Sequence, residues 1–235
     1  MPELQDPRVR SSLKPAEVAV GLLLGITLLQ ASWFGWIAYP FGETLGFVTG
    51  AWCVYLVVRE HIWNFPITIL SSSVYLVVFF ENRLFGDAAL QIVYVILGFH
   101  GWWTWLHGGA GRAALRIGFA SPRARAAILL GVPAATVVLI PVLRAAKGAA
   151  PPLDSLTTVL SLVAQYLLNR KRIENWILWI VADSIYVYLY IIRGLQLTAI
   201  LYAVFLGLAV AGFLSWRRIM AEQHGAGMKP ETAAP

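Results

Sequence analysis

The sequence is poor in charge. Only 13% of its 235 residues are Asp, Glu, Lys or Arg, against 59% hydrophobic. Soluble domains carry about 25% charged residues, so an ordinary soluble enzyme is excluded. Disorder is excluded as well, because unfolded chains combine low hydrophobicity with high charge. Cysteine is nearly missing: Cys53 stands alone in an apolar run. A single thiol rules out an internal disulfide and any Cys-based metal cluster, and it reads as a small packing residue. The histidines His61, His100, His107 and His224 follow no metal-ligand spacing, and His100 reads as hydrogen-bonded packing. No Gly-Lys phosphate loop is found, which removes ATP hydrolysis as an energy source. The net charge of +6 forms no basic stripe with interleaved aromatics, so no nucleic-acid partner is expected. No cofactor is expected either. The first residues mix Glu3, Asp6, Arg8, Arg10 and Lys14 ahead of a long apolar run, a pattern unlike a cleavable signal peptide.

What the chain has in abundance is apolar runs. A helical span needs roughly 20 apolar residues, and polar breaks divide the sequence into eight candidates. They fall near 17–39, 42–58, 65–80, 87–106, 125–143, 154–169, 175–192 and 195–216. The expected fold is an all-α polytopic membrane protein. Ten Trp and nine Tyr suit it, since aromatic rings favour the membrane boundary. With eight spans, 14 of the 18 Lys and Arg residues fall on one side, in the N-terminus, after spans two, four and six, and in the tail. Arg83, Arg144, Lys147 and Arg193 make up the other side. The positive-inside rule then puts both termini in the cytoplasm. Gln5 to Leu13 and the chain after Met220 are polar and are expected to be loosely ordered.

The chain also repeats itself. Shifted by 111 positions, residues 84–105 lie on 195–216 without a gap, pairing Leu90 with Leu201, Gly101 with Gly212 and Trp105 with Trp216. Upstream, a two-residue gap pairs Trp63 with Trp176 and Tyr75 with Tyr188. The resulting organisation is a cytoplasmic N-terminus (1–16), an extra helix (17–39), a three-helix repeat (42–106), a loop and linker helix (107–153), a second repeat (154–216) and a tail (217–235). Both repeats run in the same direction. Parallel duplication of this kind is a transporter architecture with the solute near midplane between the copies.

Polar groups inside the spans point the same way, because a charge at the bilayer centre costs about 2.5–3.5 kcal/mol even on the lenient scale. Trp176, Trp179, Asp183, Tyr186 and Tyr190 recur at helical steps of three and four, with Asn175 flanking them. Span six aligns Asp154, Thr158, Ser161 and Gln165. Span four aligns Asp87, Gln91, Tyr94 and Gly98, and span eight aligns Thr198, Tyr202, Phe205 and Gly212. Taken singly, Ser161 and Thr198 read as interhelical hydrogen-bonding residues, and Gly98, Gly101 and Gly212 as close-packing points. Four such faces together describe a wet, aromatic-lined cavity. No Lys or Arg lies inside a span, so a phosphate finds no counter-charge, whereas a flat neutral or cationic ring bearing hydroxyls does find partners. Asp183 alone is too little for a proton relay, which leaves facilitated diffusion.

Some of these residues form recognisable stretches. Glu174-Asn175-Trp176-Ile177-Leu178-Trp179, Asp183, Gly194-Leu195, Leu201-Tyr202 and the run from Gly212 to Trp216 resemble the PnuC family of vitamin transporters. Trp63-Asn64-Phe65-Pro66, Leu90-Gln91 and Gly101-Trp102-Trp103 belong to the same resemblance, which spans about residues 42–217. It implies a SWEET-like parallel 3+1+3 core with an extra N-terminal helix, often trimeric. It implies facilitated uptake of nicotinamide riboside across a bacterial inner membrane, with cytosolic phosphorylation trapping the product. The family's binding signature maps onto Asn175, Trp176 and Trp179, with Gln91 as the matching polar position in the first repeat. Where many members carry Asn before a Trp-Pro step, this chain has His61 and Phe65-Pro66. Sister families with the same fold carry thiamine, riboflavin or deoxynucleosides. A membrane scaffold or membrane-embedded enzyme is the alternative from another class. The candidate site is Asn175, Trp176, Trp179, Asp183, Tyr186, Gln91, Tyr94, Gln165, Trp63 and Asn64. The expected partners are a small-molecule solute, the bilayer and further copies of the chain.

Overall fold

The computed structural model describes residues 13–81, 85–108, 115–145, 151–192 and 196–227. Among them are eight helices: α1 (Pro15–Trp33), α2 (Phe41–Val58), α3 (Asn64–Glu81), α4 (Phe85–His107), α5 (Pro122–Ala145), α6 (Pro151–Asn169), α7 (Glu174–Ile192) and α8 (Gln196–Gly227). The eight apolar runs of the sequence each become one helix. Helices α1, α5, α7 and α8 are long and apolar enough to cross a bilayer by length and composition, while α2 and α3 carry the shorter apolar stretches Thr44–Val58 and Asn64–Val77. This is a multi-pass membrane protein.

Two boundaries differ from the sequence expectation. The first helix ends at Trp33 instead of running to 39. Gly35 adopts φ 70°, a left-handed conformation that ends a helix at little cost, and the Ser32 hydroxyl donates to Tyr39 O at 2.8 Å across the resulting turn. At the other end, α8 continues through Gly227 rather than loosening after Met220. Its 32 residues span about 48 Å at a rise of 1.5 Å per residue, well beyond a hydrocarbon core of about 30 Å. Gln5 to Ser12 lie outside the described residues.

Helix α1 packs on α2 and is tied there by Glu17, which accepts from Tyr55 at 2.9 Å and pairs with Arg59. Helix α5 packs on α6 and turns Leu129, Leu130, Val137 and Val138 outward. Its Pro133 and Pro141 sit in mid-helix, as membrane helices tolerate. The other six helices form the body. Within it α2 packs on α3 and α3 on α4, and likewise α6 on α7 and α7 on α8; the two sets meet where α2 packs on α8 and α4 on α6. The α4–α5 segment crosses the α6–α7 turn, with Gly118 N–H donating to Lys171 O at 3.1 Å and Ile173 N–H to Gly118 O at 3.0 Å. The Glu174 carboxylate accepts from Ala120 N–H at 3.0 Å and so holds that segment on the start of α7.

Candidate functional site

The body is closed at one end by an aromatic layer built twice. The Trp105 indole donates to Leu168 O at 3.3 Å, and the Trp216 indole donates to Val57 O at 3.2 Å. Phe65 meets Trp105 edge-on at 5.0 Å, as Trp176 meets Trp216 at 5.4 Å. Asn64 Nδ2 donates to His61 O at 2.8 Å, and Asn175 Nδ2 to Arg172 O at 2.7 Å. In every pair the corresponding residues lie 111 positions apart, the acceptors Leu168 and Val57 in exchanged order. The same offset relates Glu60 to Lys171, and both hold a positive φ, of 52° and 50°. These two form an ion pair with each other at 2.6 Å, with Lys171 Nζ also 4.3 Å from the Trp105 ring centre. The register is therefore ungapped. Phe65, not Trp63, corresponds to Trp176, and Tyr75 corresponds to Tyr186 rather than Tyr188.

Two glycines permit this layer. A Cβ on Gly212 would overlap the Trp176 ring, and one on Gly101 would overlap Phe65 and Asn169. Both are close-packing positions, as their spacing in the sequence suggested. The residue His61, in the turn ahead of α3, is partly withdrawn from solvent, and that desolvation pushes its pKa down. A neutral ring suits its Nδ1, which lies 3.4 Å from the Trp63 N–H as an acceptor.

Above the closed end lies a cavity of about 440 Å³, within the usual range of about 300–1,000 Å³ for small-ligand sites. Its walls come from both halves. Asn64, Gln91, Tyr94, Gln165, Trp176, Trp179, Asp183 and Tyr186 all line it. Two residues of the sequence-derived set do not. Asn175 is fully buried in the first turn of α7, and Trp63 is 60% exposed on the outside. The sequence reading passed over Gly46, Gly50, Thr68, Ser71, Ser72 and Tyr75, which join Asn64, Gln91 and Tyr94 in the first half's share of the wall. The ungapped offset would have found them, since Thr68, Ser72 and Tyr75 then fall under Trp179, Asp183 and Tyr186. Tyr202 and Phe205 of α8 complete the wall, and Tyr202 lies 4.5 Å from Tyr186 and 5.3 Å from Tyr190.

Among the described lining residues Asp183 is the one charged side chain, and no Lys or Arg is present. The wall thus offers aromatic faces, hydroxyls, three amides and one carboxylate. Such a surface holds a flat, hydrogen-bonding solute and attracts a cationic ring. It offers no charge-assisted partner to a phosphate. Trp176 Nε1 and Asn175 Oδ1 are buried with no hydrogen-bond partner. Each such group costs about 1–3 kcal/mol, so polar satisfaction is incomplete where the cavity floor meets the seal. No group of His, Cys, Asp or Glu among the described residues is arranged to hold a metal.

A helical membrane body sealed at one end, with a solute-sized polar and aromatic cavity between two matching halves, defines a membrane transporter. The chain belongs to the family described as nicotinamide mononucleotide transporter, whose model matches residues 40–218. It is 26% identical over 202 residues to the nicotinamide riboside transporter PnuC of Escherichia coli, covering 74% of this chain and 84% of that one. It is 28% identical over 190 residues to the PnuC of Neisseria mucosa, covering 76% and 72%. The riboflavin/roseoflavin transporter RibM of Streptomyces davaonensis is 27% identical over 179 residues, covering 74% and 82%. A crystal structure of the vitamin B3 transporter PnuC superposes with a TM-score of 0.68 at 26% identity, over 90% of this chain and 94% of that chain. The family and these relatives are transporters, and this chain is not an enzyme.

Proposed function

We propose that the protein carries nicotinamide riboside across a bacterial inner membrane by alternating access, as a facilitator whose product is trapped by cytosolic phosphorylation. The observation that carries this reading is the chemistry of the cavity: aromatic faces, amides and one carboxylate, with no basic side chain among the described lining residues. The pyridinium of the riboside is a flat cation, and its carboxamide and ribose supply hydrogen-bonding groups. The family description names the mononucleotide, whereas the curated relatives are named for the riboside. A phosphate needs a guanidinium or ammonium partner to repay its desolvation, so the riboside suits the cavity better.

The roles follow from this. Trp176, Trp179 and Tyr186 give the ring its faces. Asp183 balances its charge, and Gln91, Gln165, Asn64 and Tyr94 hydrogen-bond the ribose and carboxamide. Asn175 acts on the turn ahead of α7 and Trp63 makes no contact with the solute. We read α2–α4 and α6–α8 as the two parallel repeats of a SWEET-like 3+1+3 core, with α5 as linker and α1 as the extra helix. The matched hydrogen bonds at offset 111 support that reading. The asymmetry of Lys and Arg supports cytoplasmic termini. In that orientation the Glu60–Lys171 seal closes the cytoplasmic side, and the cavity extends outward. Assembly as a homo-oligomer, a trimer, follows from the resemblance.

The test is thermal stability of the purified protein against nicotinamide riboside, its mononucleotide, thiamine and riboflavin. A ligand that binds the folded state raises stability by about 2.7 kcal/mol at a hundred times its Kd. A rise with the riboside alone is expected. A rise with riboflavin alone favours the second reading, a flavin carrier like the Streptomyces relative. A rise with the mononucleotide would mean that the phosphate finds a partner outside the cavity wall described above.

A further inference from the structure

The two halves differ at a buried polar chain that exists only in the second. Asn169, the last residue of α6, is fully buried; its correspondent at offset 111 is Val58, the last residue of α2. Asn169 Nδ2 donates to Leu97 O of α4 at 2.7 Å and lies 3.3 Å from His100 Nδ1. A carbonyl oxygen only accepts, so the nitrogen of the Asn169 amide must face Leu97 and its oxygen must face away. Gln165 Nε2 donates to that oxygen at 3.1 Å. Gln165 stands where the first half has Val54, and both line the cavity.

This chain of bonds has a direction. Leu97 sets the Asn169 amide, Asn169 sets the Gln165 amide by taking one of the two Nε2 hydrogens, and Oε1 is the polar atom of Gln165 left without a hydrogen bond among the described residues. A free glutamine amide turns over readily and offers a donor or an acceptor as the ligand requires. Here the choice is made in advance. We infer that Asn169 is a positioning residue that locks Gln165 as an acceptor, so that this point of the site selects a solute presenting an N–H or O–H donor. The inference rests on the transport reading above and deepens it. In nicotinamide riboside the donor is either the carboxamide nitrogen or a ribose hydroxyl. A solute lacking that donor leaves a desolvated acceptor unmet, which weakens binding by about tenfold. The matched framework bonds at the closed end need none of this; the departure from symmetry lies where one half meets solute.

The experiment is calorimetric binding to the full-length protein of four ligands: nicotinamide riboside, its N,N-dimethylcarboxamide analogue, and its 2′-deoxy and 5′-deoxy analogues. The proteins are wild type, Asn169→Val, Gln165→Leu and the double variant. Wild type is expected to disfavour one analogue by about tenfold, and which one identifies the donor. Asn169→Val is expected to reduce that discrimination to about threefold or less, and to add nothing in the Gln165→Leu background. The inference is overturned if wild type binds all four ligands alike, or if Gln165→Leu keeps the discrimination. It is overturned equally if Asn169→Val weakens every ligand to the same extent in both backgrounds, which is the signature of a packing role. Should Asn169→Val fail to fold, Asn169→Ala removes the same acceptor with less bulk. A wild-type protein that binds none of the four overturns the transport reading itself, and the inference falls with it.

Discussion

Trp105 and Trp216 make the same indole hydrogen bond in the two halves of the protein, whereas Thr68 and Trp179, just as well matched in position, share only their place on the cavity wall. The closed end is duplicated chemistry. Phe65 repeats Trp176 as an aromatic plug, Asn64 repeats Asn175, and Glu60 meets its own correspondent, Lys171. Around the cavity the halves part company. The first supplies Gly50, Val54, Thr68 and Ser72 where the second supplies Ser161, Gln165, Trp179 and Asp183. In each matched pair the second-half residue is the larger or more polar one, while the first half's own bulk comes from Tyr94 and from Tyr75, whose ring end lies against Gly46. Duplication alone would yield a symmetric pore with two identical walls. Divergence of one wall is what makes room for a single asymmetric solute.

That division of labour can be attacked directly. Making the two walls alike with Thr68→Trp fills the cavity and is expected to abolish riboside binding, with the melting temperature preserved; a variant that still binds places the solute elsewhere. Removing the second wall's ring with Trp179→Ala deletes a stacking and cation–π surface. A desolvated contact of this kind contributes about 2 kcal/mol, or roughly 30-fold in affinity, measurable by calorimetry. The same substitution at Phe65, which belongs to the seal, should instead lower the melting temperature.

The seal is tested through its ion pair. The Glu60 and Lys171 side chains are only 16% and 11% exposed, and removing one partner of a fully buried pair costs about 3–5 kcal/mol. Partial exposure reduces that figure. Glu60→Gln is expected to loosen the closed end, and the native Cys53 on the cavity wall reports it. In vesicles of known orientation, its labelling by a cationic thiol reagent from the Lys171 side should rise by about tenfold, if about 1.4 kcal/mol of closure is lost. The charge-swapped pair Glu60→Lys with Lys171→Glu should bring the rate back down. Equal labelling in all three proteins would mean that closure does not depend on the pair.

Gly212→Ala gives the mildest of these effects. Its Cβ must displace the Trp176 ring, an overpacking cost of about 1–3 kcal/mol. At about 2–4 °C per kcal/mol for a chain of this size, differential scanning should show a loss of several degrees. Gly101→Ala should match it, because that glycine receives Phe65 in the same way. A large difference between the two would show that the halves are less alike at the closed end than their hydrogen bonds indicate.

Most of the helices could be read from the chain alone. Apolar run length, polar breaks and charge asymmetry are properties of local stretches, and each of the eight runs became a helix. The boundaries that escaped depended on less local signals. The first helix stops where Gly35 turns left-handed and Ser32 reaches Tyr39, and α8 carries on through polar residues because an established helix extends at little cost. Of the proposed site, the second half was legible because Trp176, Trp179, Asp183 and Tyr186 advertise a face by residue type. Of the first half only Asn64, Gln91 and Tyr94 were legible, because Gly46, Thr68 and Ser72 look like ordinary small residues of a membrane helix.

The match at offset 111 was already written in the chain around Trp105 and Trp216, yet a two-residue gap in the alignment upstream was enough to misplace a wall. Each residue turns a helix by about 100°, so a slip of two swings a side chain roughly 200°, from the inside to the outside. That is the distance between Phe65, sealed in the core, and Trp63, facing out. Composition and periodicity determine that the chain is a membrane protein and how many helices it forms, because these depend on sums over many residues. The inward face of α3, the end at which the bundle closes and the atom Gln165 turns to the cavity depend on contacts between residues far apart in sequence, such as Asn169 with Leu97. Only packing brings those together.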